Sequence, residues 1–450
     1  MKYSFLLLLI IVLWRLFTSC SHDDNDFPSK AGSDSVNNVN VILIVGDDIG
    51  YEVLTCDGGE SYSTPNLDTL AQNGMRFTEC YSAPLCSPSR IMLLTGKYNF
   101  RNYYLWGVLN QNQVTIGNLL KNNGYKTYYA GKWQLGGGDA SIRKFGFNNY
   151  LVWLPFVEKE NIAGSRYKSP KLYRNGSFMP ANILKNKYSE DVFTDSIKAF
   201  ILNNKQKKFF VYYAMTLAHQ PFSPTPDNND YAGWDASKVN HSIPAYFPDM
   251  INYMDKKIGE LVRFLKQNQL DKNTVIIYVG DNGTPSEIQS KFNGSMITGG
   301  KQTTTTYGTH VPLIFYWPET IAPGIVNNNL VSFPDFLPTL AALTHSTISG
   351  EFNPVDGISF YDELFGANVN TRSSVFCSFI RDTIEDKRPA RWVQDTRYKL
   401  YDTLKNKYHA PGFYDMQNDI EELHPLSDDV LTQQQLAIKQ NFRYVLDSLK

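Results

Sequence analysis

No excess of one charge marks this chain: 43 lysines and arginines stand against 44 aspartates and glutamates, a formal balance of −1. Nothing in that balance favours a nucleic-acid partner, which binds chiefly through a basic surface. Cysteine is scarce, with five residues at 20, 56, 80, 86 and 377. Their scatter offers neither a disulfide framework nor a Cys-x-x-Cys zinc site. A membrane-spanning run is missing too: Phe5 to Trp14 is apolar throughout but too short to cross a bilayer. With Lys2 ahead of it, the run reads as an export signal ending near Cys20. Aromatic residues, by contrast, make up 14% of the chain, a content that suits sugar binding but more often fills a core.

Phe17-Thr18-Ser19-Cys20 resembles a bacterial lipobox, in which the cysteine becomes the lipidated first residue. The acidic stretch Ser21 to Asp26 is similar to the export signals of Bacteroidetes surface lipoproteins. This resemblance implies an exported outer-membrane lipoprotein, periplasmic or cell-surface, touching the membrane only through a lipid on Cys20. Ordinary cleavage with a spare cysteine is the competing reading. Residues 1–20 are then the signal and 21–37 a disordered polar tether.

Past the tether, the pattern is that of an α/β protein. Val41 to Val45 is a continuous apolar run, as a strand buried on both faces must be, and it leads into Gly46-Asp47-Asp48. Val275 to Val279 repeats the pattern and leads into Gly280-Asp281-Asn282. Lys126 to Ala130 delivers Lys132 and Gln134, and Phe209 to Ala214 leads toward His219. Helices are predicted from Thr64-Pro65 to Gly74, over Ile116 to Asn123, and over Pro244 to Gln269. The alternation argues for a large doubly wound, mostly parallel sheet over 38–369, with the four strand ends facing one pocket. A smaller α+β domain is expected over 370–450, with strands at Trp392 to Tyr401 and His409 to Asp415 and a closing helix at Leu431 to Leu449.

The two acidic strand ends would repel each other without a cation between them. Asp47, Asp48, Asp281 and Asn282 offer only oxygen donors, the set for Ca²⁺, with Mg²⁺ possible, and not for zinc. Cys86 precedes Pro88 and the apolar run Ile91 to Leu94, which places it at the positive mouth of a helix. Arg90, Lys132, His219 and Lys301 are the cationic candidates for the same pocket.

The order Cys86-x-Pro88-Ser89-Arg90, followed by Leu93-Leu94-Thr95-Gly96, resembles the type I sulfatase motif of the alkaline phosphatase superfamily. Gly300-Lys301, with Pro312 eleven residues after the lysine, is similar to the family's Gly-Lys segment. The resemblance implies that a maturase oxidises Cys86 to formylglycine, and that this group joins Asp47, Asp48, Asp281 and Asn282 around one divalent ion. It implies further that Arg90 orients the formylglycine while Lys132, His219 and Lys301 grip a sulfate, with His219 or Lys301 protonating the departing alcohol. The expected substrate is a sulfated carbohydrate. Three positions depart from the family pattern: Gln134 stands where a histidine is usual, Thr306 where a glutamate is, and His310 where an arginine is. An amide cannot take up a proton at neutral pH, so the base of the final step is expected to be water or His310. Two other readings share these residues: a phosphate or phosphonate ester hydrolase, and a sulfated-glycan-binding protein with weakened turnover.

Overall fold

The computed structural model describes residues 39–157, 165–367, 372–381, 388–403 and 406–449. The export signal, Cys20, the tether and the 369/370 boundary all lie outside these residues. Among the described residues no helix is long and apolar enough to cross a membrane.

Among the described residues twelve strands precede the carboxyl-terminal part: β1 (Asn40–Gly46), β2 (Met75–Tyr81), β3 (Lys126–Lys132), β4 (Asn149–Trp153), β5 (Leu172–Arg174), β6 (Ser177–Phe178), β7 (Phe209–Ala214), β8 (Thr274–Gly280), β9 (Gln289–Phe292), β10 (Ser295–Thr298), β11 (His310–Tyr316) and β12 (Ile325–Ser332). Ten of them form one sheet in the order β12-β2-β11-β8-β1-β7-β3-β4-β5-β6, while β9 and β10 pair as a hairpin. The centre, from β8 to β4, is parallel; β11 enters antiparallel between β8 and β2.

Burial of β1 and β8 on both faces explains their unbroken apolar sequence. Val41, Leu43 and Val45 pack on one side with the helix Cys86–Thr95 and the helix Phe336–Leu343. Ile42 and Ile44 pack on the other with Pro65–Gln72, Ser189–Asn204 and Phe247–Gln267. The register pairs Gly46 with Gly280, so the acidic ends of β1 and β8 leave the sheet side by side. At the end of β3, Gly131 has φ +98° and lies so close to β7 that a Cβ would meet the Ala214 carbonyl oxygen at 1.7 Å. Only glycine fits there, and Lys132 follows directly.

The carboxyl-terminal sheet is antiparallel and runs β13 (Val375–Phe379), β14 (Ala390–Gln394), β15 (Tyr398–Tyr401), β16 (Phe413–Asp415). The single strand expected over Trp392 to Tyr401 is in fact two, because the Asp395 carboxylate accepts the backbone N–H groups of Arg397 and Tyr398 and closes a turn. The closing helix, Gln433–Ser448, carries a capping box at Thr432 and Gln435.

A buried ionic knot ties this sheet to the segment after Lys301. Lys399 and Glu422 pair at 3.0 Å with neither side chain exposed. The Lys399 ammonium also reaches the Thr304 carbonyl, Tyr401 Oη donates to Glu422, and the Thr306 N–H donates to Glu422 at 3.2 Å. Removing one partner of such a pair strands a buried charge, so Glu422→Ala is expected to destabilise the protein by about 3–5 kcal/mol. Urea unfolding measures it, and a loss below about 1 kcal/mol would show that the knot contributes no more than a surface pair.

Candidate active site

Four strand ends and one helix mouth converge here. Asp47 and Asp48 follow β1, with Asp48 at φ 64°, and Asp281 and Asn282 follow β8; all four are buried. The Asp48 N–H donates to Asp281 Oδ1 at 2.9 Å, and Asn282 Nδ2 donates to Asp48 Oδ1 at 2.9 Å. Lys132 Nζ lies 2.7 Å from both Asp47 oxygens. The Lys301 ammonium pairs with Asp48, and His219 Nε2 lies 3.7 Å from the same carboxylate. Cys86 opens its helix, buried, with Sγ 3.5 Å from Gln134 Oε1. A sulfur or oxygen atom from each of Asp47, Cys86 and Asp281 lies within 4.8 Å of the others.

The electrostatics follow from burial. Loss of water pushes the Asp48 carboxyl up, a shift that Lys301 opposes and Asp47 adds to. Burial together with Asp47 holds Asp281 well above the usual carboxylate range. Burial likewise raises the Cys86 thiol, with Lys132 opposing, so this cysteine is no ready thiolate. For Lys301, burial acts downward, but Asp48, Cys86 and Asp47 together outweigh it and raise the ammonium above the ordinary lysine value. Burial and then the charges of Arg166, Lys301 and Lys132 hold His219 far below an ordinary histidine. Its Nδ1 meets the Gln220 carbonyl at 2.6 Å. Since a carbonyl only accepts, Nδ1 carries the proton and Nε2 faces the cluster with its lone pair.

Three carboxylates held against their preference for water fit a hard divalent cation. Asn282 Oδ1 supports that fit, being buried with no hydrogen-bond partner in the protein.

Arg90 lies one helical turn past Cys86, and its guanidinium bonds the Tyr129 hydroxyl and the Lys132 carbonyl. What it touches is thus the backbone of the lysine that grips Asp47. His310 stands apart from the cluster, which corrects its expected place in the pocket. Its ring stacks against Tyr51 at 4.0 Å and Tyr81 at 5.1 Å, and its Nε2 meets the Thr78 carbonyl at 2.7 Å. Burial lowers it to about 4, opposed only by Thr78, and none of the pocket's charges acts on it. Pairing of β11 with β2 sets His310 opposite Tyr81.

Two residues that the sequence reading passed over brace His219. The Tyr167 hydroxyl bonds the carbonyls of Thr216 and His219, and the buried Glu190 accepts the N–H and hydroxyl of Thr216, each at 2.6 Å. Glu190 stands with Asp191 in the first turn of the helix Ser189–Asn204, where acidic residues are ordinary, so nothing in the sequence singled it out.

Comparison with known proteins matches residues 39–346 to the model of the Sulfatase family. The chain belongs to the sulfatase family. It is a sulfuric ester hydrolase. Residues 300–448 of this sulfatase also match the model described as N-sulphoglucosamine sulphohydrolase, C-terminal. The sulfatase is similar to arylsulfatase A of Homo sapiens, with 29% identity over 82% of this chain and 76% of that protein. It is also similar to the N-acetylgalactosamine-6-O-sulfatase of Bacteroides thetaiotaomicron, with 26% identity over 91% of this chain and 94% of that one. Its fold is shared with the solved structure of Ps i-CgsB in complex with k-i-k-neocarrahexaose, at a TM-score of 0.75 and 24% identity over 92% of each chain.

Proposed function

We propose that this sulfatase removes sulfate from a sulfated carbohydrate outside the cytoplasm, using formylglycine made from Cys86 and a divalent cation, Ca²⁺ ahead of Mg²⁺. The observation that carries the reading is the in-register pairing of Gly46 with Gly280, which gathers Asp47, Asp48, Asp281 and Asn282 beside Cys86. The relatives named for sulfated sugars support the carbohydrate assignment. Export and a lipid on Cys20 fit a glycan substrate met at the cell surface.

Asp47, Asp48, Asp281 and Asn282 would hold the cation, which when bound supplies positive charge against negative oxygens. Formylglycine, as its hydrate, supplies an oxygen nucleophile toward sulfur. Lys132 and Lys301 stand at the same carboxylates and draw in the sulfate oxygens. His219 is neutral in the free protein; the charge of a bound sulfate raises its affinity for a proton, which Nε2 then passes to the departing alcohol oxygen. Lys301 is the other donor within reach of that group. Arg90 acts through Lys132, holding the carbonyl behind the ammonium. Gln134, lying against residue 86, orients its oxygen but takes no proton, so water accepts the proton that frees the enzyme.

Sulfate release and phosphate release from paired sulfate and phosphate esters, with protein from a maturase-competent host, test this reading. Faster phosphate release would replace it with a phosphoryl hydrolase, and tight binding with release of neither would make the protein a glycan binder. Gln134→Ala is expected to slow turnover by roughly one to two powers of ten, the worth of one polar contact. Pre-steady-state sulfate release measures the change, and a loss beyond about 10⁴-fold would give Gln134 a larger role than positioning.

A further inference from the structure

Arg143, Arg166, Lys168, Arg388 and Arg391 are among the cations of residues 135–187 and 387–409, stretches rich in aromatic residues. Four are accounted for. Arg143 pairs with Asp139 at 2.8 Å, and Lys168 Nζ is capped by the carbonyls of Tyr231, Ala232 and Trp234 at 2.7, 2.9 and 3.0 Å. Arg391 pairs with Asp402 and the carbonyls of Leu446 and Leu449, and Arg388 is exposed to water.

Arg166 is different. It is 9% exposed, and among the described residues it has no carboxylate partner. Its Nε and Nη1 are buried without a hydrogen-bond partner. The guanidinium carbon lies 4.2 Å from the centre of the Trp153 ring, and Trp153 Nε1 is likewise buried and unpartnered. Three buried N–H groups on this stacked pair thus lack an acceptor, while the Tyr167 hydroxyl is the one protein group that meets the guanidinium among the described residues. The pair adjoins the active site: Trp153 pairs with Lys132 in the β3–β4 register, and Tyr167, the next residue, bonds the His219 carbonyl.

We propose that Arg166, seated on Trp153 beside His219, recognises a second anion on the sugar, a carboxylate or a further sulfate next to the ester that is cleaved. A guanidinium removed from water asks for a counter-ion, and its planar fork matches the two oxygens of either group. Trp153 serves as platform through a cation–π contact. The scissile sulfate is not what Arg166 faces. Lys132 and Lys301 pair directly with Asp47 and Asp48 of the cluster, whereas Arg166 pairs with neither and lies over Trp153. Through Tyr167 and Trp153 it adjoins His219 and Lys132 without joining the cluster.

The inference rests on the carbohydrate sulfatase reading and is tested with the full-length matured enzyme on three probes. These are a mono-O-sulfated N-acetylhexosamine, the same sugar with a second O-sulfate, and the monosulfated sugar joined to a hexuronic acid. The wild type is expected to favour one doubly charged probe over the first by about 10- to 100-fold in kcat/KM, chiefly through KM. Whichever probe is favoured identifies the anion. In Arg166→Ala the preference falls to within a few-fold, and Arg166→Lys keeps part of it. Because the ratio is read within one preparation, partial misfolding leaves it unchanged. Equal kcat/KM for all three probes in the wild type, or an undiminished preference in Arg166→Ala, would overturn the inference. Sulfate release from none of them would overturn the hydrolytic reading instead. Calorimetric binding of the same probes to Cys86→Ala, with and without Arg166→Ala, then decides the role of Arg166, which equal affinities would refute.

Discussion

Cys86→Ala is expected to abolish sulfate release, by on the order of 10⁴ to 10⁶, while leaving the fold in place. The loss is this large because the proposed nucleophile originates at that one side chain, and no neighbour can take over. Gln134 is an amide, and the lysines are engaged with Asp47 and Asp48. The fold survives because Cys86 makes a single weak side-chain hydrogen bond, so truncation costs roughly 1 kcal/mol. The helix Cys86–Thr95 is secured elsewhere, by Ser89 Oγ on the Ala83 backbone and by the Thr95 hydroxyl on the Ile91 carbonyl. Mass analysis of active wild type should show the thiol of residue 86 replaced by an aldehyde oxygen. Full activity with an intact thiol would refute the assignment.

Metal removal is the second large effect, and its sign depends on conditions. In metal-free protein the raised Asp48 and Asp281 keep protons that the unfolded chain releases near the ordinary value of 3.8. The native state then binds more protons than the unfolded one, so stability falls as pH rises above that value toward the raised pKa values. A cation in the site removes the penalty and adds stability, about 2.7 kcal/mol at a hundred times its Kd. Asp281→Asn keeps the shape and the acceptor for the Asp48 N–H but removes one negative charge. With chelator present, this variant should therefore melt at or above the wild-type temperature; in excess Ca²⁺ the order should reverse. Calorimetry in both conditions tests this, together with loss of turnover on chelation and its return with Ca²⁺ or Mg²⁺. Stoichiometric zinc in active enzyme, or the same ranking in both conditions, would count against an oxygen-lined divalent site.

What could be read in the sequence is what local chemistry determines. A strand buried on both faces has to be apolar throughout, so Val41 to Val45 and Val275 to Val279 announced themselves and their acidic ends. The sequence from Cys86 to Gly96 carried its own motif, and the closing helix expected over Leu431 to Leu449 runs from Gln433 to Ser448. Tertiary structure decided which distant residues meet. The register that sets Gly46 against Gly280 joins segments more than 200 residues apart, and no periodicity records such a pairing. The antiparallel entry of β11 carried His310 into a stack between Tyr51 and Tyr81, away from the pocket it was expected to serve. Among Arg143, Arg166, Lys168, Arg388 and Arg391, only packing on Trp153 set Arg166 apart. Charge and residue type are local properties, whereas desolvation belongs to the folded chain, and it is desolvation that separates a solvated arginine from one that needs an anion.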